Sequence, residues 1–217
     1  MNQIEALTAP LILEAMELPA GTTGIDCLTL LDSHSAAALK SADAEFALQY
    51  LDRITAASRD AVLRARLALG LIAHDRGGNW TPSATLGGAD GLDAVRRARA
   101  LAIPKETTIW IPLEEWSGPA SGAIGYVNAA ASVIQTADFR AGLYVGFAEH
   151  PLTPEQLWEL LVTLYWHSCS IVPDVARCNY CMKQTKPNTW LAGVLVDHNE
   201  IMSDLLGRLP TFVVAKQ

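Results

Sequence analysis

Four carboxylates stand where apolar runs give out: Asp26 in TTGIDCLTL, Glu114 and Glu115 in TTIWIPLEEW, and Asp197 in GVLVDHNEIM. Polar residues that bind without reacting sit at similar places. Asp75 follows His74 at the end of LALGLIAHD, Gln184 lies near the end of RCNYCMKQT, and Asn199 comes two residues after Asp197. Tyr50, Trp80, Trp116, Tyr144 and Trp166 add flat aromatic faces. One carboxylic acid that protonates a leaving oxygen, beside a second carboxylate acting as nucleophile, base or electrostatic support, is the apparatus of glycosidic-bond hydrolysis. The acid must hold its proton near neutrality, which needs apolar surroundings or a neighbouring anion. Glu114, between Leu113 and Glu115 with Trp110 and Trp116 close in sequence, has both. Each carboxylate also has a plainer reading. Glu114 and Glu115 point to opposite sides if the strand continues, so one would be solvated. Asp197 could cap a turn, and Asp26 could pair with an arginine. Trp110 and Trp158 are assigned to the core.

Positioning these residues requires a scaffold, and the chain alternates. Apolar runs read as strands at 22–30, 46–52, 67–75, 107–116, 141–150, 164–171, 177–185 and 193–201. Helical patterns lie between them, as in SHSAAALKSADAEF and TAASRDAVLRAR. Thr153-Pro154-Glu155-Gln156 is a capping box with proline at the first helical position. The stretch 75–91, rich in Gly, Ser, Thr and Pro, reads as the longest loop, with Asp90 or Asp93 opening the next helix. Strands alternating with helices imply a parallel sheet. Eight strands, and no G-x-G-x-x-G turn after the first, favour an α/β fold of the (β/α)8 barrel type over an open sheet. In 217 residues such a barrel is near the small end of its range, so helices should be short or missing after the sixth and seventh strands. The expectation is one compact, slightly degenerate barrel over 21–217, preceded by a segment, 1–20, of undetermined order. In a barrel the strand ends share one face, so the polar residues above would form a ring.

Composition narrows the partners. Half the residues are hydrophobic, 18% are charged, and the net charge is −7. An ordered globular chain follows, and nucleic acid or an anionic membrane surface is disfavoured for want of a basic patch. Arg96, Arg97 and Arg99 read as a solvated helix face. A neutral or weakly polar ligand suits this charge better. No run is apolar for long enough to insert in a membrane, and Glu5 and Glu14 argue against a secretory leader. The expectation is a cytoplasmic protein as synthesised. Cys178 and Cys181 have CxxC spacing, but on a strand they would face opposite sides. The four cysteines therefore read as small buried residues, with no metal and no cofactor expected.

The segments GIDC, QYLDR, SRDAVLRARLALGLIAHDR, GGADGLDAVRRARALAIPKETTIWIPLE, CMKQT and VDHNEI, in that order from about Gly24 to Met202, resemble the bacterial glycoside-hydrolase-like barrel family of unknown function, related to the family-25 lysozyme-type muramidases. The resemblance implies a (β/α)8-type barrel acting on peptidoglycan or a related glycan, or derived from proteins that do. It aligns Asp26 with the aspartate of a G-[IV]-D strand, and Glu114 with the first acid of a D-x-E. Asp197 and Asn199 align with a closing V-D-x-N, and Gln184 with the glutamine ending the preceding strand. The second acid of D-x-E, the proposed general acid in those lysozymes, falls on Trp116. Glu115 would need a bulge to replace it. Gln49 stands where related barrels carry an arginine before the aromatic Tyr50.

Three functions fit. The first is a glycosidase on peptidoglycan or another bacterial polysaccharide, with Glu114 as acid and Asp26 or Asp197 assisting. The second is a catalytically inactive glycan-binding module, with Tyr50, Asp75, Trp80, Trp116, Trp166, Gln184 and Asn199 as the binding set. The third is a structural component of a phage or secretion particle, its acidic N-terminal segment docking on a protein partner. A route to the cell wall would then be phage delivery or release.

Overall fold

In a computed structural model, residues 10–216 are described; the first nine residues of the acidic N-terminal segment invoked above as a docking element lie outside them, and its later part forms a strand, β1 (Leu13–Glu17). Among the described residues, ten strands and five helices follow in order: β1 Leu13–Glu17, β2 Thr23–Asp26, α1 Ser33–Ser41, β3 Phe46–Tyr50, α2 Ala56–Arg64, β4 Ala68–Ile72, α3 Ala84–Ala100, β5 Thr108–Leu113, α4 Ala120–Thr136, β6 Arg140–Val145, α5 Pro154–Trp158, β7 Leu164–His167, β8 Met182–Leu191, β9 Val194–Ile201 and β10 Thr211–Ala215. Strands β2 to β8 pair in sequence and in parallel except across the β8–β2 gap, which β9 fills, and β4 pairs with β5 within that series, so β2 to β9 close an eight-stranded barrel. β9 is antiparallel to both its neighbours. β10 lies antiparallel to the first half of β4 at Val213 and Leu69, and β1 pairs with β10. Among the described residues no helix separates β7 from β8 or β8 from β9, the degeneracy expected from the chain's length.

Sequence chemistry accounts for most boundaries. Asp32 and Ser35 form a capping box on α1, and Thr55 and Ser83 cap α2 and α3. The box at Thr153 and Gln156 opens α5, but that helix is a single short turn. Two boundaries differ from expectation. α3 starts at Ser83 rather than at Asp90 or Asp93. Its Gly87 and Gly91 are not loop residues but the flat contact on which α4 lies: a Cβ on Gly87 would fall on the Tyr126 carbonyl, and one on Gly91 would lie 3.0 Å from the Ala130 oxygen. The stretch around Cys178 and Cys181 is not a strand either, because Arg177 and Asn179 both adopt left-handed backbone (φ 68° and 64°). Cys27, Cys178 and Cys181 are buried free thiols, whereas Cys169 is exposed, contrary to the uniform burial expected.

The barrel is filled, not hollow. Phe46, Leu48, Trp110, Trp166, Met182, Ile201 and Phe212 form its interior. Such bulk fits because glycines face it. A Cβ on Gly142 would lie 2.5 Å from the Trp110 ring, and one on Gly70 2.6 Å from Leu48. Trp110 stacks edge-on against Trp166, and Trp166 against Tyr144. The stack places Trp110 in the core, as its sequence context suggested, and carries the floor of the barrel up to its C-terminal mouth.

The adjacent glycines of α3 test this packing. Gly88 has open space around its Cα, so Gly88→Ala should stabilise by about 0.5–1 kcal/mol through helix propensity. Gly87→Ala should destabilise by about 1–3 kcal/mol through overpacking against α4. Urea denaturation of the two variants measures both; equal shifts would contradict the close α3–α4 approach.

Candidate active site

All eight barrel strands contribute to one small cavity at the mouth. Asp26 comes from β2, Tyr50 from β3, Ile72 from β4, Pro112 and Glu114 from β5 and its exit, Tyr144 from β6, Trp166 from β7, Gln184 from β8 and Asp197 from β9, around about 90 Å³. Period-two alternation explains the set: Trp110, Pro112 and Glu114 are successive inward positions, as are Phe46, Leu48 and Tyr50. The sequence expectation put Asp197 and Asn199 at the end of a parallel strand. Instead β9 runs downward, and Asp197 lies directly beside Asp26 in the register.

Asp26 is buried, and two side-chain amides converge on its Oδ2: Asn199 Nδ2 at 2.7 Å and Gln184 Nε2 at 3.2 Å. The same Gln184 nitrogen donates to Asp197 Oδ2 at 2.8 Å, and the backbone N–H of Asn188 donates to Asp197 Oδ1 at 2.6 Å. Gln184 Oε1 accepts from Cys169 N–H at 3.1 Å and from the Tyr144 hydroxyl at 3.3 Å. Trp166 Nε1 donates to Asn199 Oδ1 at 3.0 Å. Burial raises the Asp26 pKa to about 7, with Asp197 adding to the rise and both amides opposing it. Glu114 is raised to about 7 as well, by burial first and then by Glu115, Asp75 and Asp197. Two carboxyl groups that titrate near neutrality thus border one void.

The remaining candidates are placed differently. Glu115 is exposed and left-handed (φ 48°), pinned by its N–H to the Phe147 carbonyl and by its own carbonyl, which accepts from Asn79 N–H. It faces away from the cavity, and no bulge brings it into the place of an acid. Trp116 is not a sugar platform: it is 5% exposed and packs in the hydrophobic layer outside the barrel. Trp80 also lies outside the cavity lining. Its Nε1 donates to the Glu114 carbonyl at 2.9 Å and its ring meets Tyr126 edge-on, so it holds the exit of β5. Asp75 is in an ion pair with Arg53 and reaches the site through its field on Glu114 and Tyr50 rather than as part of the lining. Asn199 sits beneath the cavity, not on its wall. Trp166 is buried and forms floor rather than platform. Gln49 is outside the barrel, where its amide bonds the carbonyls of Cys27 and Thr29 and fixes the loop after β2.

Sequence reading missed Ile72 and Pro112, whose types carry no chemical signal, although inward parity would have found both. It also missed Gly146, where a Cβ would collide with the Glu114 side chain. Among the described residues no cluster of three His, Cys, Asp or Glu is placed to hold a metal, and no helix is long and apolar enough to cross a membrane.

Residues 37–194 match the family described as Rv2525c-like, glycoside hydrolase-like domain, and the chain belongs to that family. No curated protein matches it in sequence. Its fold is shared with an uncharacterised B. stearothermophilus protein (18% identity, TM-score 0.62, 83% of this chain and 96% of that one). It is shared as well with a bacterial lysozyme from Streptomyces coelicolor (15%, 0.56, 85% and 93%). A third neighbour is the Clostridium perfringens spore cortex lytic enzyme SleM (14%, 0.61, 90% and 71%).

Burial of Asp26 has a measurable consequence. The folded chain keeps a proton there up to about pH 7, while the unfolded chain releases it near 4. Stability therefore falls as pH rises through that window. Asp26→Asn removes the dependence, and between pH 4 and pH 8 the stability difference should move in the variant's favour by on the order of 2–4 kcal/mol. Denaturation curves for both proteins at the two pH values check this; parallel behaviour would mean Asp26 is not held protonated.

Proposed function

We infer that the protein is a glycoside hydrolase acting on peptidoglycan or a similar bacterial polysaccharide. The observation that carries this reading is the pair Asp26 and Glu114 on one mouth cavity, each drawn up to about 7. Support comes from the family, and from a structural neighbour, the autolysin LytC of Streptococcus pneumoniae, solved with a synthetic peptidoglycan ligand. Such a substrate places the work at the cell wall.

Roles follow from surroundings. Glu114, half-buried on the rim, is the general acid: near neutrality it retains enough proton to protonate the leaving oxygen. Asp26, on the floor across the barrel, is the assisting carboxylate, and its two amide donors orient it and favour its charged form as positive charge develops on the sugar. Asp197 has both oxygens engaged by N–H donors, which suits an electrostatic support. Tyr50 and Tyr144 bound the cavity where the sugar ring would enter.

One observation favours a second reading, a catalytically inactive glycan-binding barrel: the second acidic position of the lysozyme pattern is Trp116, and that side chain is committed to the core. Release of reducing ends from purified peptidoglycan between pH 4 and 8 separates the two. For an enzyme, wild-type release should follow a bell-shaped profile peaking near neutrality, and Glu114→Gln should lower it about 10²–10⁴-fold. Folded wild type that releases nothing yet sediments with the glycan would move the assignment to binding.

A further inference from the structure

The cavity accounts for little of what a glycan would need. About 90 Å³ is well below the roughly 300–1,000 Å³ of ordinary ligand pockets. Most of the contact with a sugar chain must be made outside it.

β8 supplies such a surface. It pairs with β7 only at Met182 and Lys183, then leaves the barrel and continues beyond the mouth, paired with β9 alone up to Leu191. A two-residue turn closes this arm at Ala192 (φ 52°) and Gly193 (φ 82°), the left-handed pair that suits a tight hairpin. Register irregularities between Gln184 and Lys186, and between Lys186 and Thr189, reset the facing of β8 so that Trp190 stands opposite Leu195. Leu195, Asp197 and Asn199 alternate on one face of β9. Asn199 lies under the cavity, Asp197 lines it, and Leu195 with Trp190 comes one pleat higher, about 7 Å along the strand. The opposite face of β9, Val194 and Val196, is buried against the core, so the arm is seated rather than free. It is also bonded to the site through Asn188 N–H and Asp197. Trp190 is 72% exposed and Leu195 43%. Leu28, two residues past Asp26 on the adjoining strand exit, is 51% exposed.

We propose that the Trp190–Leu195 face is an outer binding platform for the apolar face of a pyranose ring, and that the ligand is consequently a glycan chain spanning floor and platform rather than a mono- or disaccharide. This rests on the glycan reading above and extends it. The occupant follows from position and shape. The platform continues the wall that carries Asp197, and it offers a single flat ring beside the aliphatic Leu195, without the larger apolar area that a stable protein interface buries.

The test titrates β-1,4-linked N-acetylglucosamine oligomers of two to six sugars into wild type, Trp190→Ala, Trp190→Phe and Asp26→Asn, reading affinity by calorimetry. Wild type should gain about tenfold or more in affinity from two sugars to six. Trp190→Ala should lose that gain while binding the disaccharide as wild type does, and Trp190→Phe should restore most of it. Because Trp190 is on the surface, circular dichroism of the variant should match wild type. If wild type and Trp190→Ala bind the hexamer equally while Asp26→Asn is weakened, the platform is overturned and the glycan reading stands. If wild type binds neither these oligomers nor purified peptidoglycan, both fall.

Discussion

The site depends on one strand running against the other seven. β9 descends while β2 rises, and the register of the pair sets Asp197 directly beside Asp26. Two carboxylates so close, one of them buried, repel, and the structure answers with an amide between them. Gln184 can donate to both only if its carbonyl oxygen faces the other way. It does, because the Cys169 N–H and the Tyr144 hydroxyl hold that oxygen. Asn199 is turned in the same fashion: an indole N–H can only donate, so Trp166 fixes the Asn199 oxygen and leaves its NH₂ for Asp26. Backbone polarity and one tryptophan thus set the orientation of both amides, and the amides set the carboxylates. The aromatic stack that fills the barrel is therefore also the support of its paired carboxylates.

A second constraint acts where β5 ends. Leu113 closes the strand, Glu114 points into the mouth, and Trp116 must return to the apolar layer outside. Three residues cannot make that change while remaining extended. The left-handed Glu115 makes it, a conformation uncommon for a non-glycine residue, held by main-chain bonds on both sides. The result fixes Glu114 by what surrounds it. Trp80 bonds its carbonyl, and Gly146 leaves room for its side chain. Where the resemblance to the lysozymes implies an acid, two residues after Glu114, a hydrophobic anchor stands and stabilises the loop.

The eight-stranded barrel and the loss of late helices were legible because they follow from alternation and length, whereas the flanking strands β1 and β10 were not read from the sequence. The convergence of Asp26, Tyr50, Glu114, Trp166 and Gln184 on one face was legible too, since inward parity near strand ends is a local property; Asp197 joins them from the middle of a descending strand. What local pattern could not show was direction. VLVDHNEI reads alike as a rising or a falling strand, and only its neighbours decide. The β8 arm was hidden for a related reason: Lys186-Pro187-Asn188 carries loop chemistry, and the turn places Ala192 where glycine or asparagine would have signalled a hairpin. Trp190 therefore stood out neither as core nor as site. Trp80 and Trp116 illustrate the converse. A tryptophan in a Gly-rich loop or beside a carboxylate resembles a platform in sequence, yet both are structural, because an indole ring that can reach the core gains more by burial than by display.

The energetic position of Asp26 bears on which reading of the barrel holds. Oδ2 accepts two amide protons, and an asparagine carbonyl could accept the same two without ever carrying charge. A buried carboxyl in that place loses stability as pH rises toward 7, whereas the amide would not. A scaffold kept only for its shape gains nothing from the acid. Sites that retain a destabilising ionisable group, surrounded by residues that orient it and facing a second group perturbed in the same direction, are the places where proteins give up stability for chemistry. Trp116 removes the second acid of the resembling pattern, and the two perturbed carboxyl groups left on the cavity are Glu114 and Asp26.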